Sequence, residues 1–242
     1  MKRLDAKGRR ILIIPDLHAP FEHPDAFKFL SAVKEKYLKD HSLIINLGDE
    51  IDGNQISFHD KDPDMPFSPC TEMEKAIESI QELQDIFPEM HLCTSNHGSL
   101  VYRRQKAAGL PRHVIKSYQD ILGTPKWHWH DEILVETKMG PIYLCHGKTS
   151  STGKLVKEMG VYGSIQGHYH GKQQIVWLSS ALQTRFDAFG GALINVQSKA
   201  FAYGKNHLPK PLLGCILISK IGYPRIIRMI TNKDDRWIWE LP

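Results

Sequence analysis

Apolar residues in this chain fall into short runs that end abruptly at glycine, proline or a polar group, and their spacing predicts alternating strands and helices. Residues 11–15 form a continuous apolar run and read as a buried strand. From Pro24 to Lys39 the period changes to that of a helix, with Phe27, Leu30, Val33 and Tyr37 along one side and Pro24 at the first helical position. Leu43 to Leu47 is a second apolar run ending at Gly48, so residues 11–47 make a strand, helix, strand unit that implies a partly parallel sheet. The T-x-x-E box of Thr71 and Glu74 predicts the start of another helix, carrying Met73, Ile77, Ile80, Leu83 and Phe87 and stopping near Pro88. A third strand spans Met90 to Thr94, and short helices fill roughly 100–122. Strands then dominate, at 127–130, 133–137, 141–145, 162–166, 174–178, 192–196, 200–203, 213–219 and 225–230. No repeat, low-complexity tract or linker divides the chain, so residues 1–242 are expected to form a single domain. The irregular segment from Gly53 to Pro69 either borders a functional site or is a plain surface connection.

Composition narrows the class. With 242 residues, 41% hydrophobic and 24% charged, the chain is long enough for one substantial core and ordinary for a soluble protein. Its longest apolar runs are far short of the roughly 20 residues of a membrane span, so no membrane partner is expected. The basic start, MKRLDAKGRR, leads into only a short apolar run before Pro15, which is unlike a signal peptide and points to the cytoplasm. Four cysteines at 70, 93, 145 and 215 lack C-x-x-C spacing, which argues against a disulfide framework and a cysteine zinc site. A net charge of +4 and a pI of 8.8 suit a phosphate-bearing substrate without by themselves indicating nucleic acid.

Candidate chemistry sits where the strands stop. Five times an apolar run ends and residues of metal-ligand type follow at once: Asp16 and His18, Asp49, Asn96 and His97, His146, then His168 and His170. The carboxyl ends of parallel strands share one edge, where loops converge into a ligand crevice, so residues remote in sequence can meet there. An extended backbone also turns the two members of D-x-H and of H-x-H to one side. Two carboxylates, one amide and four imidazoles would leave two divalent ions with net positive charge, which suits a phosphate. The mixed oxygen and nitrogen shell favours manganese, iron, zinc or nickel over magnesium or calcium. Two such ions can activate water and stabilise the leaving oxygen in an in-line displacement.

These motifs, Asp16-x-His18, Gly48-Asp49-x-x-Asp52, Asn96-His97, His146 and Gly167-His168-x-His170, resemble those of the calcineurin-like metallophosphoesterase family. The resemblance runs from about residue 11 to 170 and looks most like the small stand-alone members of bacteriophage and prokaryotic genomes. It implies an α/β fold, a four-layer α-β-β-α sandwich with two mixed β-sheets flanked by helices. It further implies that one metal takes Asp16, His18, Asp49 and His170 and the other Asp49, Asn96, His146 and His168, with Asp49 bridging them. By the same resemblance His97 faces the substrate as a catalytic group, and Asp52 orients it. The family's usual G-N-H-[DE] stands here as Ser95-Asn96-His97-Gly98, so both flanking positions depart from the pattern.

Other features have bland alternatives. Arg103 and Arg104, followed by Lys106, Arg112 and Lys116, either present cations to substrate phosphate or form a solvated helical face. The stretch from Gly147 to Leu155 has the wrong spacing for a phosphate-binding P-loop, although Lys148 and nearby amides remain candidates for contacting substrate. Trp127-His128-Trp129-His130 reads as a strand with tryptophans facing the core and histidines the other side, rather than as a metal or base-stacking site. His59 reads as incidental. The expected partner is a phosphate-ester substrate. Phosphatase, phosphodiesterase and nuclease activity share such ligands, so DNA, RNA and nucleotides, cyclic ones included, stay open, as does a non-catalytic interaction module retaining the fold.

Overall fold

The computed structural model describes residues 1–39, 41–58, 61, 64–204 and 210–241, with only the backbone of 202–204. Two six-stranded sheets face each other. The first contains β1 (Lys2–Asp5), β6 (Ile133–Thr137), β7 (Gly140–Cys145), β8 (Gly163–Gln166), β10 (Thr184–Gly190) and β9 (Gln173–Ser179), in that spatial order. The second runs β12 (Pro224–Arg228), β11 (Gly214–Ile218), β2 (Ile11–Ile14), β3 (Leu43–Asn46), β4 (Met90–Cys93) and β5 (Trp127–His130). Both are mixed: β7, β8 and β10 are parallel with β9 antiparallel beside them, and β2 to β5 are parallel, with β11 antiparallel to β2 and β12 antiparallel to β11.

Side-chain parity builds the layers. Along β2, Ile11 and Ile13 join the core between the sheets, while Leu12 and Ile14 join the core on the outer face. That outer core is covered by α1 (Ala26–Tyr37), which buries Phe27, Phe29, Leu30 and Val33, and α2 (Pro69–Ile86), which buries Ala76, Ile80 and Leu83. The first sheet supplies Ile133, Val135, Ile142, Leu144 and Phe186 to the central core and turns Leu134, Tyr143 and Cys145 outward onto Leu155 and Val156 of α5 (Lys154–Met159). Helix, sheet, sheet, helix is therefore the order of layers, as the resemblance implies. Two short helices, α3 (Leu100–Ala107) and α4 (Tyr118–Leu122), follow β4.

Several expectations need correction. Helix α1 begins at Ala26, so Pro24 precedes it instead of occupying its first position. Helix α2 starts earlier than the T-x-x-E box suggests: Ser68 is the cap, its hydroxyl accepting from Thr71 N at 3.1 Å, and Pro69 opens the helix. Residues 192–196 are not a strand; Ala192 and Ile194 make only isolated bridges beyond the left-handed Gly191 (φ +77°). The expected strand at 200–203 instead lies in a 3-10 segment, Lys199–Gly204. Strand β1 was not expected because its KRLD sequence is mostly exposed and gains its order from parallel pairing with β6. Strand β10 escaped notice because buried Asp187 interrupts it, satisfied by Ser164 Oγ at 2.5 Å and Gly153 N at 2.7 Å.

Candidate metal centre

Parallel strands from both sheets deliver the polar residues to one edge. Asp16 and His18 follow β2, Asp49 follows β3 and Asn96 follows β4, while His146 follows β7 and His168 and His170 follow β8 of the opposing sheet. The chain turns sharply there, and His18, Asp49 and His168 all take left-handed backbone angles (φ 55°, 50° and 66°) that L-residues adopt only where the surroundings enforce them. Gly167 is required by close approach: a Cβ there would lie 2.4 Å from Asp16 Oδ1.

Two clusters result, and they share a carboxylate. In one, ligand atoms of Asp16, His18, Asp49 and His170 lie within 4.8 Å of one another; in the other, so do those of Asp49, His146 and His168. Asp49 Oδ2 is 3.4 Å from His18 Nε2 and 3.1 Å from His146 Nε2. His170 Nε2 is 3.0 Å from Asp16 Oδ2 and 3.1 Å from His18 Nε2. Asn96 completes the second cluster with Oδ1 at 2.7 Å from His146 Nε2. A third set, His18, Asp52 and His97, lies beside them.

Hydrogen bonds behind the clusters fix the rings. His146 Nδ1 donates to Leu47 O at 2.9 Å, and His18 Nδ1 lies 3.2 Å from Asp52 Oδ1, so both rings present Nε2 inward. Asp16, His18 and Asp49 are almost wholly buried. Burial opposes charge on His18, yet the Asp49 and Asp52 carboxylates overcome it and push its pKa up to about 10. His146 rises likewise, to about 9, because Asp49 and then Asp16 outweigh burial. Burial would raise Asp49, but His146 and His18 hold it well below the ordinary carboxylate range. His168 moves down, through burial and the neighbouring His146.

A metal fits this donor set. Asp16 Oδ1 is buried with no hydrogen-bond partner, inward Nε2 atoms face one another at 3.1 Å, and buried carboxylates stand among them. Such mixed imidazole and carboxylate shells suit manganese, iron, zinc or nickel.

His97 lies outside the two clusters that share Asp49. Its Nδ1 is 2.9 Å from Asp52 Oδ1 and donates to Asp52 O at 2.5 Å, its backbone N donates to Asp49 Oδ1 at 3.1 Å, and its ring reaches an open cleft. That cleft, of about 1500 Å³, is also lined by Lys172, Lys199, Lys210 and Arg228 and by Phe201, whose ring meets His18 edge-on at 5.4 Å. None of these five belongs to a motif singled out by sequence, although Lys172 stands two residues after His170.

The cations singled out by sequence each have protein partners. Arg104 Nε donates to Ile56 O at 2.6 Å and its Nη2 to Ser57 O, with the guanidinium 3.9 Å from the Phe58 ring centre. Arg103 donates to Asn96 O at 3.4 Å and lies 4.9 Å from the same ring. Both brace the start of the 53–69 loop. Lys148 pairs with Glu132, and the backbone amides of Lys148 and Thr149 donate to Gln166 Oε1 at 2.9 and 3.2 Å. Trp127 is buried and Trp129 packs beside it, with His128 exposed on the opposite face, matching the alternation. His59 lies outside the described residues.

No protein-family model matches the sequence, and no curated protein matches it. Among solved structures, Vps29 of Chaetomium thermophilum is similar at 12% identity and a TM-score of 0.47, over 93% of this chain and 88% of that one. NAD nucleotidase (NadN) of Haemophilus influenzae is similar at 11% identity and a TM-score of 0.42, over 95% of this chain and 53% of that one. Among the described residues, no helix is long and apolar enough to cross a membrane.

Proposed function

We propose that this chain is a calcineurin-like metallophosphoesterase that hydrolyses a phosphate ester with two divalent metal ions, of which manganese is the first choice and iron, zinc or nickel the others. What carries the reading is Asp49: one buried carboxylate stands between two clusters of imidazole and oxygen donors at the foot of a cleft. In this reading Asp16, His18, Asp49 and His170 hold one ion, and Asp49, Asn96, His146 and His168 hold the other. The ions, when bound, would activate water and neutralise phosphoryl oxygens. His97, oriented by Asp52, faces the substrate and either steadies phosphate charge or protonates the leaving oxygen. Residues 1–242 act as one cytoplasmic domain, akin to the stand-alone phage and prokaryotic members.

A phosphodiester of a nucleotide or nucleic acid is the second reading, supported by the cleft. Lys172, Lys199, Lys210 and Arg228 give it cationic walls, and Phe201 offers a ring beside His18. The test is a panel of phosphate esters with manganese, nickel, zinc and magnesium, with Asp49→Asn as control. Preference for bis(p-nitrophenyl) phosphate over p-nitrophenyl phosphate, together with cleavage of DNA or RNA, supports the second reading. Should the protein bind fewer than two metals and hydrolyse nothing, a non-catalytic module replaces both.

A further inference from the structure

Beneath the turn that carries Asn96 and His97 lies a buried acid that the centre above leaves without a role. Glu50 is 0% exposed, and its Oε1 accepts from Trp129 Nε1 at 2.9 Å. Tyr118, edge-on to Trp129 at 5.2 Å, turns its hydroxyl towards the same carboxyl as a second hydrogen-bonding group. On its other side the carboxyl rests against Gly98, where an added Cβ would lie 3.3 Å from Glu50 Oε1 and 3.0 Å from Ser95 Oγ. Ser95 Oγ in turn accepts from Gly98 N at 2.9 Å. Ser95 and Gly98, the two departures from the family pattern, are thus bonded to each other, and a side chain at 98 would crowd first Ser95 Oγ and then the Glu50 carboxyl.

A carboxyl taken wholly out of water is costly unless the packing and hydrogen bonds around it compensate. Here the packing joins three segments: the residue after Asp49, the turn holding Asn96 and His97, and β5 through Trp129. We propose that Glu50 is a positioning residue, its carboxyl bracing the 95–98 turn from below so that Asn96 stays beside His146 and His97 beside Asp52. The inference rests on the reading of Asn96 as a ligand and His97 as a substrate-facing group.

The test is a set of variants read by manganese titration calorimetry and by the backbone amide resonances of 96–98 in metal-free protein. Glu50→Gln keeps the shape and the acceptor for Trp129, and should titrate like the parent. Glu50→Ala removes the brace, and should weaken the second manganese by about tenfold or more and shift those resonances. Gly98→Asp should crowd the parent, yet Glu50→Ala/Gly98→Asp should bind manganese more tightly than either single variant, because each change relieves the other. Unchanged affinity and resonances in Glu50→Ala, or losses that simply multiply in the double variant, would overturn the proposal. Where Glu50→Ala fails to fold, Gly98→Ala supplies the same crowding in milder form, and parental affinity there would count against the brace. A parent that binds two manganese ions but hydrolyses nothing sinks the proposed activity alone. A parent that binds no metal sinks the metal centre, and the resonances still decide whether Glu50 holds the turn.

Discussion

Replacing Asp52 by alanine removes one oxygen that two histidines share. Oδ1 is 3.2 Å from His18 Nδ1 and 2.9 Å from His97 Nδ1, and its companion Oδ2 is buried without a partner. The two links have separable consequences, because His18 belongs to a cluster that could hold a metal ion and His97 faces the cleft. Loss of a partner behind a ligating histidine costs about 10- to 100-fold in metal affinity, so Asp52→Ala should weaken the ion held by His18 by that factor. His97 keeps a second acceptor in Asp52 O at 2.5 Å, and should therefore lose orientation only in part. His97→Asn, by contrast, removes the acid group outright, and should lower turnover by about 10²- to 10⁴-fold, or about 3 to 5 kcal/mol, while metal content stays near two per chain. At saturating manganese, Asp52→Ala should turn over faster than His97→Asn, and the double variant should be no slower than His97→Asn alone, since both act through one ring. Calorimetry measures the first effect and steady-state kcat the second. Parental manganese affinity in Asp52→Ala would refute the link to His18, and multiplicative losses of turnover in the double variant would refute the link to His97.

Three further outcomes follow from the structure. An ion present at a hundredfold excess over its Kd adds about 2.7 kcal/mol to stability, so chelation should lower the parent's Tm, whereas Asp49→Asn should start low and barely respond. An equal response of parent and variant to chelator would remove Asp49 from both clusters. Asp25 is buried and receives Arg236 Nη2 and Nε at 2.6 and 2.7 Å, and the guanidinium, against the effect of burial, holds its carboxyl well below the usual range. Because the folded pKa lies below the unfolded one, the stabilisation is complete at neutral pH and fades as the pH falls below about 4. Asp25→Asn should therefore cost about 2 kcal/mol in urea unfolding at pH 7, and the gap to the parent should shrink on acidification; a gap that widened would reverse the sign of the argument. Ser164→Ala leaves Asp187 Oδ1 without its donor inside the first sheet and should destabilise by about 1 to 3 kcal/mol, read as a shift in thermal midpoint; an unchanged midpoint would mean that the serine bond contributes nothing.

What could be read from the sequence was whatever is encoded locally, and what could not was whatever depends on partners far along the chain. Asp16, His18, Asp49, Asn96, His146, His168 and His170 were legible because each stands at the end of an apolar run, and parallel topology carries such ends to one edge. Strand β10 was illegible because Asp187 breaks its pattern, and only Ser164 and Gly153, 23 and 34 residues earlier, make that acid tolerable. The partners of Arg103 and Arg104 were illegible for a related reason: a helix turns the two side chains onto Ile56, Ser57, Phe58 and Asn96, none of which the local sequence marks as their neighbour. Phe201 and Lys199 line the cleft about 100 residues after His97, in a segment whose apolar residues read as a strand and whose 3-10 geometry comes from its surroundings. Glu50 shows the same limit most sharply. No motif marks it, and its meaning depends on Trp129 and Gly98, neither of which is its neighbour in the chain. The departures at 95 and 98 could be seen in the sequence as a loss of motif, yet their physical sense, a serine bonded to a glycine with the Glu50 carboxyl packed beside them, exists only in three dimensions.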